Sequence, residues 1–456
     1  MLTRALQTVS ALRSGLASQL RELSEAESRA PEALRALQVE RLRRLLPSIQ
    51  LENPFWRRRF AAAGFDPFRL RSLADLAALP PLDARDLDSR QAADDATGRT
   101  PGDRGGDRTG VPAAEPPAAT RLRALADELR HVTWMDLDWR AGRAVLTEDP
   151  RGSRGPGGAL RAAARDALQG VIAWNAAGAS EADYRELGKR LGRARPELLA
   201  GEAGVLERFA IALAREAREA RSRGEAAPPP GHPISRWRPG AVQSTGDPLA
   251  EETRELVQAV FGAPVFNRYA ARETGEIAHE CSEHAGLHVS MERVVLEIVR
   301  DGAPVPDGED GEVLVSLLDP TPMPLLRYRL GDIGVRVPGP PCACGRGSER
   351  ILLTDGRMDQ LVTSPAGRRI HADYFRHLFE ATPGVAGHFV EQETPERLVL
   401  HLVRGPGWVE GVIQPLVEDL YAVDPAFRID VRCAAELPPA AGTRRGGVHS
   451  RVPVRW

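Results

Sequence analysis

The sequence changes texture at Arg236. Ahead of it, Ala-, Arg- and Leu-rich stretches carry apolar residues at three-and-four spacing; beyond it, short apolar or alternating runs are divided by Gly and Pro turns. These periodicities belong to helices and strands respectively, so a chain holding both blocks is confined to a mixed α/β fold. In the first block Leu2, Leu6, Val9, Leu12, Leu16 and Leu20 predict amphipathic helix over 1–49, and NPFWRRRFAAAGFDP (53–67) a short helix closed by Gly64. In the second, 248–261 reads as helix and 265–270 as a strand running into a turn. Residues 294–299 and 312–318 read as paired strands, with turns supplied by Asp-Gly at 301–302 and Pro-Asp-Gly at 306–308.

Past Arg357 a smaller α+β unit is expected. It has helices at 371–381 and 407–421 and strands near 387–391, 397–403 and 428–433. The expected division is a large N-terminal domain over 1–356 and a small C-terminal one over 357–456, the latter within the usual size range for one domain. Residues 1–95 form the helical lead-in. Three breaks poor in large apolar residues interrupt the first block, at 96–119, 148–158 and 223–233, and the first of them reads as a flexible loop.

Charge and cysteine content narrow the chemistry. The 61 basic residues nearly balance 63 acidic ones, so the chain is no polycation gripping nucleic acid. Lys189 is the one lysine, and any lysine nucleophile, Schiff base or phosphate-binding lysine must therefore be Lys189. Cys281, Cys342, Cys344 and Cys433 are too few for a disulfide scaffold. The N-terminal stretch lacks the apolar core of a secretion signal, and no run long enough to span a membrane occurs. A cytoplasmic protein is expected.

Three segments could carry chemistry. In VFNRYAARETGEIAHEC (265–281), a strand delivers Tyr269 to a turn with Glu273 on the same rim. A ring that stacks on a base and a carboxylate that holds Mg²⁺ are what a nucleoside triphosphate site needs. In PLLRYRLGDIG (324–334), Arg327 and Arg329 alternate on a strand and Asp332 follows a glycine at the turn, where a carboxylate accepts both ribose hydroxyls. In TDGRMDQLVTSPAGRRI (354–370), Gly356-Arg357 and Asp359 lie where the large unit gives way to the small one. There an arginine neutralises phosphate and a short linker can act as a hinge. Spacing alone leaves the alternatives open: Tyr269 in core packing, Glu273 on a solvated helix, an ordinary strand-turn, a routine linker.

In this order the three segments resemble the adenylate-forming (ANL) superfamily, in its phenylacetate–CoA ligase-like, CapK-type branch. The resemblance runs from about residue 53 to the C-terminus. SLADLAALPPLDARDL (72–87) is similar to a segment following the family's first helix, LLAGEAGVLERFAIAL (198–213) to its central helix, and AVQSTGDPL (241–249) to its adenine-side turn. PCACGRG (341–347) and HECSEHAGLHV (279–289) are further markers. The resemblance implies a two-step ligase with a large adenylation domain and a small lid. A carboxylic acid attacks the α-phosphate of ATP, and a thiol, commonly CoA, then takes the acyl group. It further implies that Tyr269 stacks on adenine beside Ser244, Thr245 and Gly246, Glu273 holds Mg²⁺, Asp332 binds ribose, Arg357 meets phosphate and Asp359 is the hinge. The acid would be lined from 130–210 and 241–270. CoA, another carrier thiol, an amine acceptor or a second copy of the chain are the partners it admits.

Cys342 and Cys344, with Cys281 and a histidine from His284 or His288, offer a Cys₃His structural zinc site, against three unpaired buried cysteines as the alternative. The family's GLH pattern favours His288, and Cys433 reads as core. Three departures from the family pattern stand out. RGGDRTGVP (104–112) keeps Thr109 and Gly110 of a phosphate loop, yet Asp107 and Arg108 replace small hydroxylated residues. Ala270-Ala271 follow Tyr269 where Gly-Ser or Gly-Thr is usual. Arg444 aligns with the family's terminal lysine, and arginine is wider and planar. A degenerate, non-catalytic member acting as a binding or assembly partner is the alternative these departures leave.

Overall fold

The computed structural model describes residues 2–87, 118–138, 140–148, 170–224, 235–271, 273–321, 323–437, 447–452 and 454. These form two compact units: 1–296, 315–328 and 336–352 in the first, and 297–314, 329–335 and 353–456 in the second. Among the described residues no helix is long and apolar enough to cross a membrane.

The first unit opens with two helices where the sequence predicts one. α1 (Leu2–Glu27) and α2 (Pro31–Glu52) are parted at Ala30, whose backbone is extended (φ −61°, ψ 151°). The ring of Pro31 pushes the preceding residue out of the helical region, and the missing N–H costs nothing at a helix start. α3 (Pro54–Ala63) begins where Asn53 Oδ1 accepts from the Trp56 backbone N–H at 3.1 Å. It ends at Gly64, left-handed at φ 61°, as the sequence indicates.

Strands also occur ahead of Arg236. β1 (Arg143–Thr147), β2 (Val171–Asn175) and β3 (Leu198–Glu202) join β4 (Ala241–Thr245) and β5 (Val265–Ala271) in a parallel sheet ordered β2-β1-β3-β4-β5. Residues 198–213, read as one central helix, are therefore a strand followed by the helix Ala203–Ser222. A short, mostly apolar run buried on both faces has no period with which to announce itself as strand. After the short Ala84–Leu87 turn of helix (α4) come α5 (Ala118–Trp134), α6 (Glu181–Ala194), α7 (Ala203–Ser222) and α8 (Glu251–Phe261). One sheet face packs Leu199, Val242 and Val265 against Tyr184, Phe209 and Phe261 of α6–α8. The other packs Leu198, Ala241 and Phe266 against Val132 and Met135 of α5 and the residue after it. β6 (Gly275–Glu280) and β7 (Leu287–Val289) extend the sheet antiparallel from β5.

β8 (Val294–Arg300), β9 (Ala303–Pro304), β10 (Asp310–Leu317), β11 (Tyr328–Arg336) and β12 (Arg350–Arg357) neighbour one another in the order β12-β11-β10-β8-β9. The second unit adds a β13 (Val362–Thr363)/β14 (Arg369–Ile370) ladder. It also holds a four-stranded sheet of β17 (Arg428–Ala434), β16 (Arg397–Arg404), β15 (Val385–Gln392) and β18 (Val448–Ser450), in that order. Phe375 and Phe379 of α9 (Ala372–Glu380) and Leu416 and Leu420 of α10 (Ile413–Val423) bury against Val390, Leu398, Leu400 and Leu402. This is the small α+β unit the sequence indicates, with two differences. α10 starts at Ile413 rather than 407, because Gly405, Pro406 and Gly407 resist helix. β18 lies in a stretch of basic and glycine residues that carries no strand signal.

Candidate functional sites

Cys281 follows the last residue of β6, and His288 sits in β7. Cys342 and Cys344 lie in the connection from β11 to β12, where Gly345 (φ 80°) closes a turn by donating to the Cys342 carbonyl at 3.0 Å. Two guanidinium bonds tie the loops together, Arg350 donating to Ala285 O at 2.8 Å and to Pro340 O at 3.0 Å. The result brings one ligand atom from each of Cys281, His288, Cys342 and Cys344 within 4.8 Å of all the others. Cys281 Sγ is 3.7 Å from Cys342 Sγ, and Cys344 Sγ is 3.4 Å from His288 Nε2. A tetrahedral zinc ion with standard bond lengths separates its ligands by ~3.8 Å (S···S) and ~3.5 Å (S···N). The donor set and its spacing fit that ion. His288 Nδ1 lies 3.0 Å from Ser348 Oγ, which fixes the ring with Nε2 inward. Burial, with the Arg346 and Arg350 charges, lowers the His288 pKa to about 4, so the ring is in its neutral, ligating form; burial pushes the Cys281 thiol up to about 12. His284, the other candidate, turns to Glu280 Oε2 at 3.2 Å and packs on Phe266 instead.

The nucleotide-side residues divide between the units. In the first, Tyr269 is buried within β5 rather than at a turn, because the hairpin continues to Ala271 before reversing at Glu273 and Thr274. Glu273 is half-buried in that reversal. Ser244, the penultimate residue of β4, is fully buried, its hydroxyl without a hydrogen-bond partner among the described residues, and Thr245 at the strand end is half-buried. Gly246 takes φ 85°, and a Cβ there would lie 3.1 Å from Glu202 Cγ. In the second unit, Asp332 sits in the middle of β11 rather than at a strand end. Arg357 closes β12 and donates to Leu330 O at 3.0 Å, which brings it beside the Leu330–Asp332 stretch. Asp359 lies in the short 3-10 turn Met358–Gln360. Arg327 is not on the strand with Arg329: it is left-handed (φ 50°) and buried, donating to Leu79 O at 2.6 Å and Ala77 O at 3.2 Å. Thr109, Gly110, Asp107, Arg108 and Arg444 lie outside the described residues.

A third constellation was not foreseen. β5 and β6 pair Arg268 with His279 and Ala270 with Glu276, with a bulge between. Three residues apart, Glu276 and His279 would alternate to opposite faces; the bulge puts both on the Arg268 face. α5 covers that face. His131 stacks flat on His279, ring centroids 4.4 Å apart and planes within 3°. Gln243 Nε2 donates to His279 Nε2 at 2.9 Å, and His279 Nδ1 donates to the Glu280 carbonyl at 2.6 Å. Arg268 Nε donates to Glu276 Oε2 at 2.6 Å. Burial raises the Glu276 pKa to about 6, lowers that of His279 to about 3, and holds His131 well below the ordinary histidine value. Trp134 touches both constellations, its ring centroid 4.8 Å from that of His131 and 5.8 Å from that of His288.

No protein-family model matches the chain. It is 27% identical over 376 residues to a phenylacetate–coenzyme A ligase of Thermus thermophilus, an alignment covering 80% of this chain and 79% of that protein. The phenylacetate–coenzyme A ligase of Escherichia coli is 29% identical over 121 residues, 25% of this chain and 27% of its own length. In three dimensions the chain matches 2-hydroxyisobutyryl-CoA ligase in its postadenylation state with TM-score 0.63 and 19% identity, over 94% of this chain and 91% of that one. The chain is similar in sequence to phenylacetate–coenzyme A ligases and shares its fold with 2-hydroxyisobutyryl-CoA ligase. An open conformation of the same 2-hydroxyisobutyryl-CoA ligase, bound to an acyl-AMP and CoA, matches with TM-score 0.53 at 19% identity, over 90% of each chain. The cysteine and histidine spacing announced the Cys281/His288/Cys342/Cys344 cluster. The His131/Glu276 layer left no comparable signal, since HVTW (131–134) and GEIAHE (275–280) read as ordinary helix and strand.

Proposed function

We propose that this protein activates a carboxylic acid with ATP and passes the acyl group to CoA or another thiol or amine acceptor. In the first step a carboxylate oxygen bonds to the α-phosphorus and pyrophosphate leaves with the electron pair of the broken P–O bond. In the second the acceptor attacks the acyl carbon, loses its proton to solvent, and AMP departs. The observation that carries this reading is the 376-residue alignment with an acid–CoA ligase, spanning about four-fifths of both chains.

Under this reading Tyr269 stacks on adenine above the Ser244–Gly246 turn, where glycine lets the backbone approach the base. Glu273 supplies the single protein carboxylate that a phosphate-bound Mg²⁺ commonly uses, and its half-buried place in a hairpin reversal suits that role. Mg²⁺ would neutralise charge on the phosphates. Asp332 binds the ribose, Arg357 meets phosphate and Asp359 is the hinge of a lid starting at residue 357. Thr109 and Gly110 cradle phosphate, and Arg444 supplies the positive charge that a lysine supplies in the family. Zinc held by Cys281, His288, Cys342 and Cys344 is structural: four protein ligands complete a tetrahedral shell and leave no open position for substrate.

Pyrophosphate release over a broad panel of acids, with calorimetry for ATP, tests the reading. Acid-dependent release with ATP affinity is expected, and neither with any acid would overturn it. Asp107 and Arg444 favour a second reading, a non-catalytic protein of this fold that binds or assembles with partners. Arg444→Lys combined with Asp107→Ser distinguishes the two, since a vestigial site gains no turnover from it.

A further inference from the structure

We propose that His131 Nδ1 and Glu276 Oε1 together receive one hydroxyl group, and that the acid this chain activates is a hydroxylated one. The inference rests on the acid-activating reading above and specifies its substrate.

Both atoms are buried and neither has a hydrogen-bond partner among the described residues. Their side chains are 1% and 4% exposed, and the atoms stand 3.7 Å apart. That is too long for a hydrogen bond, yet a single oxygen at about 2.8 Å reaches both. An unsatisfied donor and acceptor facing one another in a buried layer are costly, and a bridging group removes the cost.

The chemistry of the pair selects the bridging group. Arg130 Nη2 lies 3.5 Å from His131 Nε2, and a guanidinium can only donate, so Nε2 is the acceptor of a neutral ring and Nδ1 carries the proton. Glu276 Oε2 already accepts from Arg268, leaving Oε1 as a free acceptor. The ligand group must therefore accept from one atom and donate to the other. A hydroxyl does both. A second carboxylate would face the Glu276 charge, and an ammonium has no lone pair for His131 Nδ1–H. Arg268 and Glu276 cancel, and the two stacked imidazoles are neutral, so the layer suits a neutral group.

Placement supports a substrate rather than a resident water. The pair lies on α5 and β6, within or beside the two segments expected to line the acid, with Gln243, Arg268 and Trp134 around it. The layer reaches solvent at its Arg268 end, that side chain being 29% exposed.

The test measures kcat/KM for pyrophosphate release with matched acids: phenylacetate against mandelate and hydroxyphenylacetates, propionate against lactate, and butyrate against hydroxybutyrates. The best hydroxylated acid should exceed its parent on the order of 10- to 100-fold, the range for pairing an otherwise unsatisfied buried group. In His131→Phe, which keeps a ring on His279 but removes the donor, that ratio should fall towards one. It should fall likewise in Glu276→Gln. If Glu276→Gln does not fold, His131→Phe decides alone. Parent acids released as fast as their hydroxylated partners would overturn the proposal and leave the ligase reading intact. A preference that survives both variants would also overturn it. No release with any acid would bring down the ligase reading itself, and this proposal with it.

Discussion

The Cys281/His288/Cys342/Cys344 cluster and the His131/Glu276/His279 layer lie in the same unit, share Trp134 as a neighbour, and both bury ionisable groups. They solve the cost of burial in different ways. The cluster converges four donors on one point, where a dication can satisfy all of them. The layer distributes its polar atoms over a helix and three strands in pairs, and leaves one pair unmatched. A converging site therefore stands or falls as a unit, whereas a distributed one loses stability one contact at a time.

Removing zinc should have the largest effect. Cys342→Ala should abolish the one equivalent of zinc expected by elemental analysis. It should lower the melting temperature on the order of 10 °C, because metal-binding free energy becomes folding free energy. Equal stability with and without chelator would break the contrast, since the cluster would then behave as ordinary core. Glu276→Ala comes next. It strands the Arg268 guanidinium, and breaking a fully buried pair costs about 3–5 kcal/mol; with Arg268 part-exposed, about 2–3 kcal/mol is expected in denaturant unfolding.

Sequence reveals these two sites unequally, for a physical reason. Cysteine and histidine are scarce here, so CxC and GLH stand out, and a ligand's role depends on its type more than on its neighbours. The small α+β unit was legible because apolar runs such as 398–403 are bounded by turn and charged residues. The parallel strands at 143–147 and 198–202 were not, because strands largely buried on both faces lose their alternation. The layer was hidden more deeply. Whether Glu276 and His279 share a face depends on one bulge, and whether His131 meets them depends on how α5 packs. Of the nucleotide-side candidates, Tyr269 and Asp332 are expected at turns but stand inside strands.

Acidity offers a smaller, graded test of the distributed site. His279 falls from 6.5 to about 3 on folding and His131 shifts the same way, so between those values the unfolded chain binds more protons. Stability should therefore decline as pH falls below about 6.5, by roughly 1.4 kcal/mol per pH unit for each histidine in full titration. Glu276 works in the opposite sense. Its folded pKa of about 6 lies above 4.5, so between 6 and 4.5 the folded state holds the extra proton and acidification recovers part of the loss. Unfolding midpoints from pH 8 to 5 should drop less steeply in His131→Phe than in the unmodified chain. An unchanged slope would remove His131 from the account.

Ser244→Ala should have the least effect on stability and is for that reason informative. Its hydroxyl is fully buried and unmatched, so deleting it removes a desolvated polar group without stranding a partner. The melting temperature should stay within about 2 °C or rise, the scale of a change below 1 kcal/mol. ATP affinity by calorimetry should nonetheless fall if the hydroxyl meets the nucleotide. A side chain that costs the fold something and helps a ligand differs from both sites compared above, because its energetic purpose lies outside the folded chain. A clear loss of stability would instead place Ser244 with the distributed contacts, its partner among the residues outside the described set.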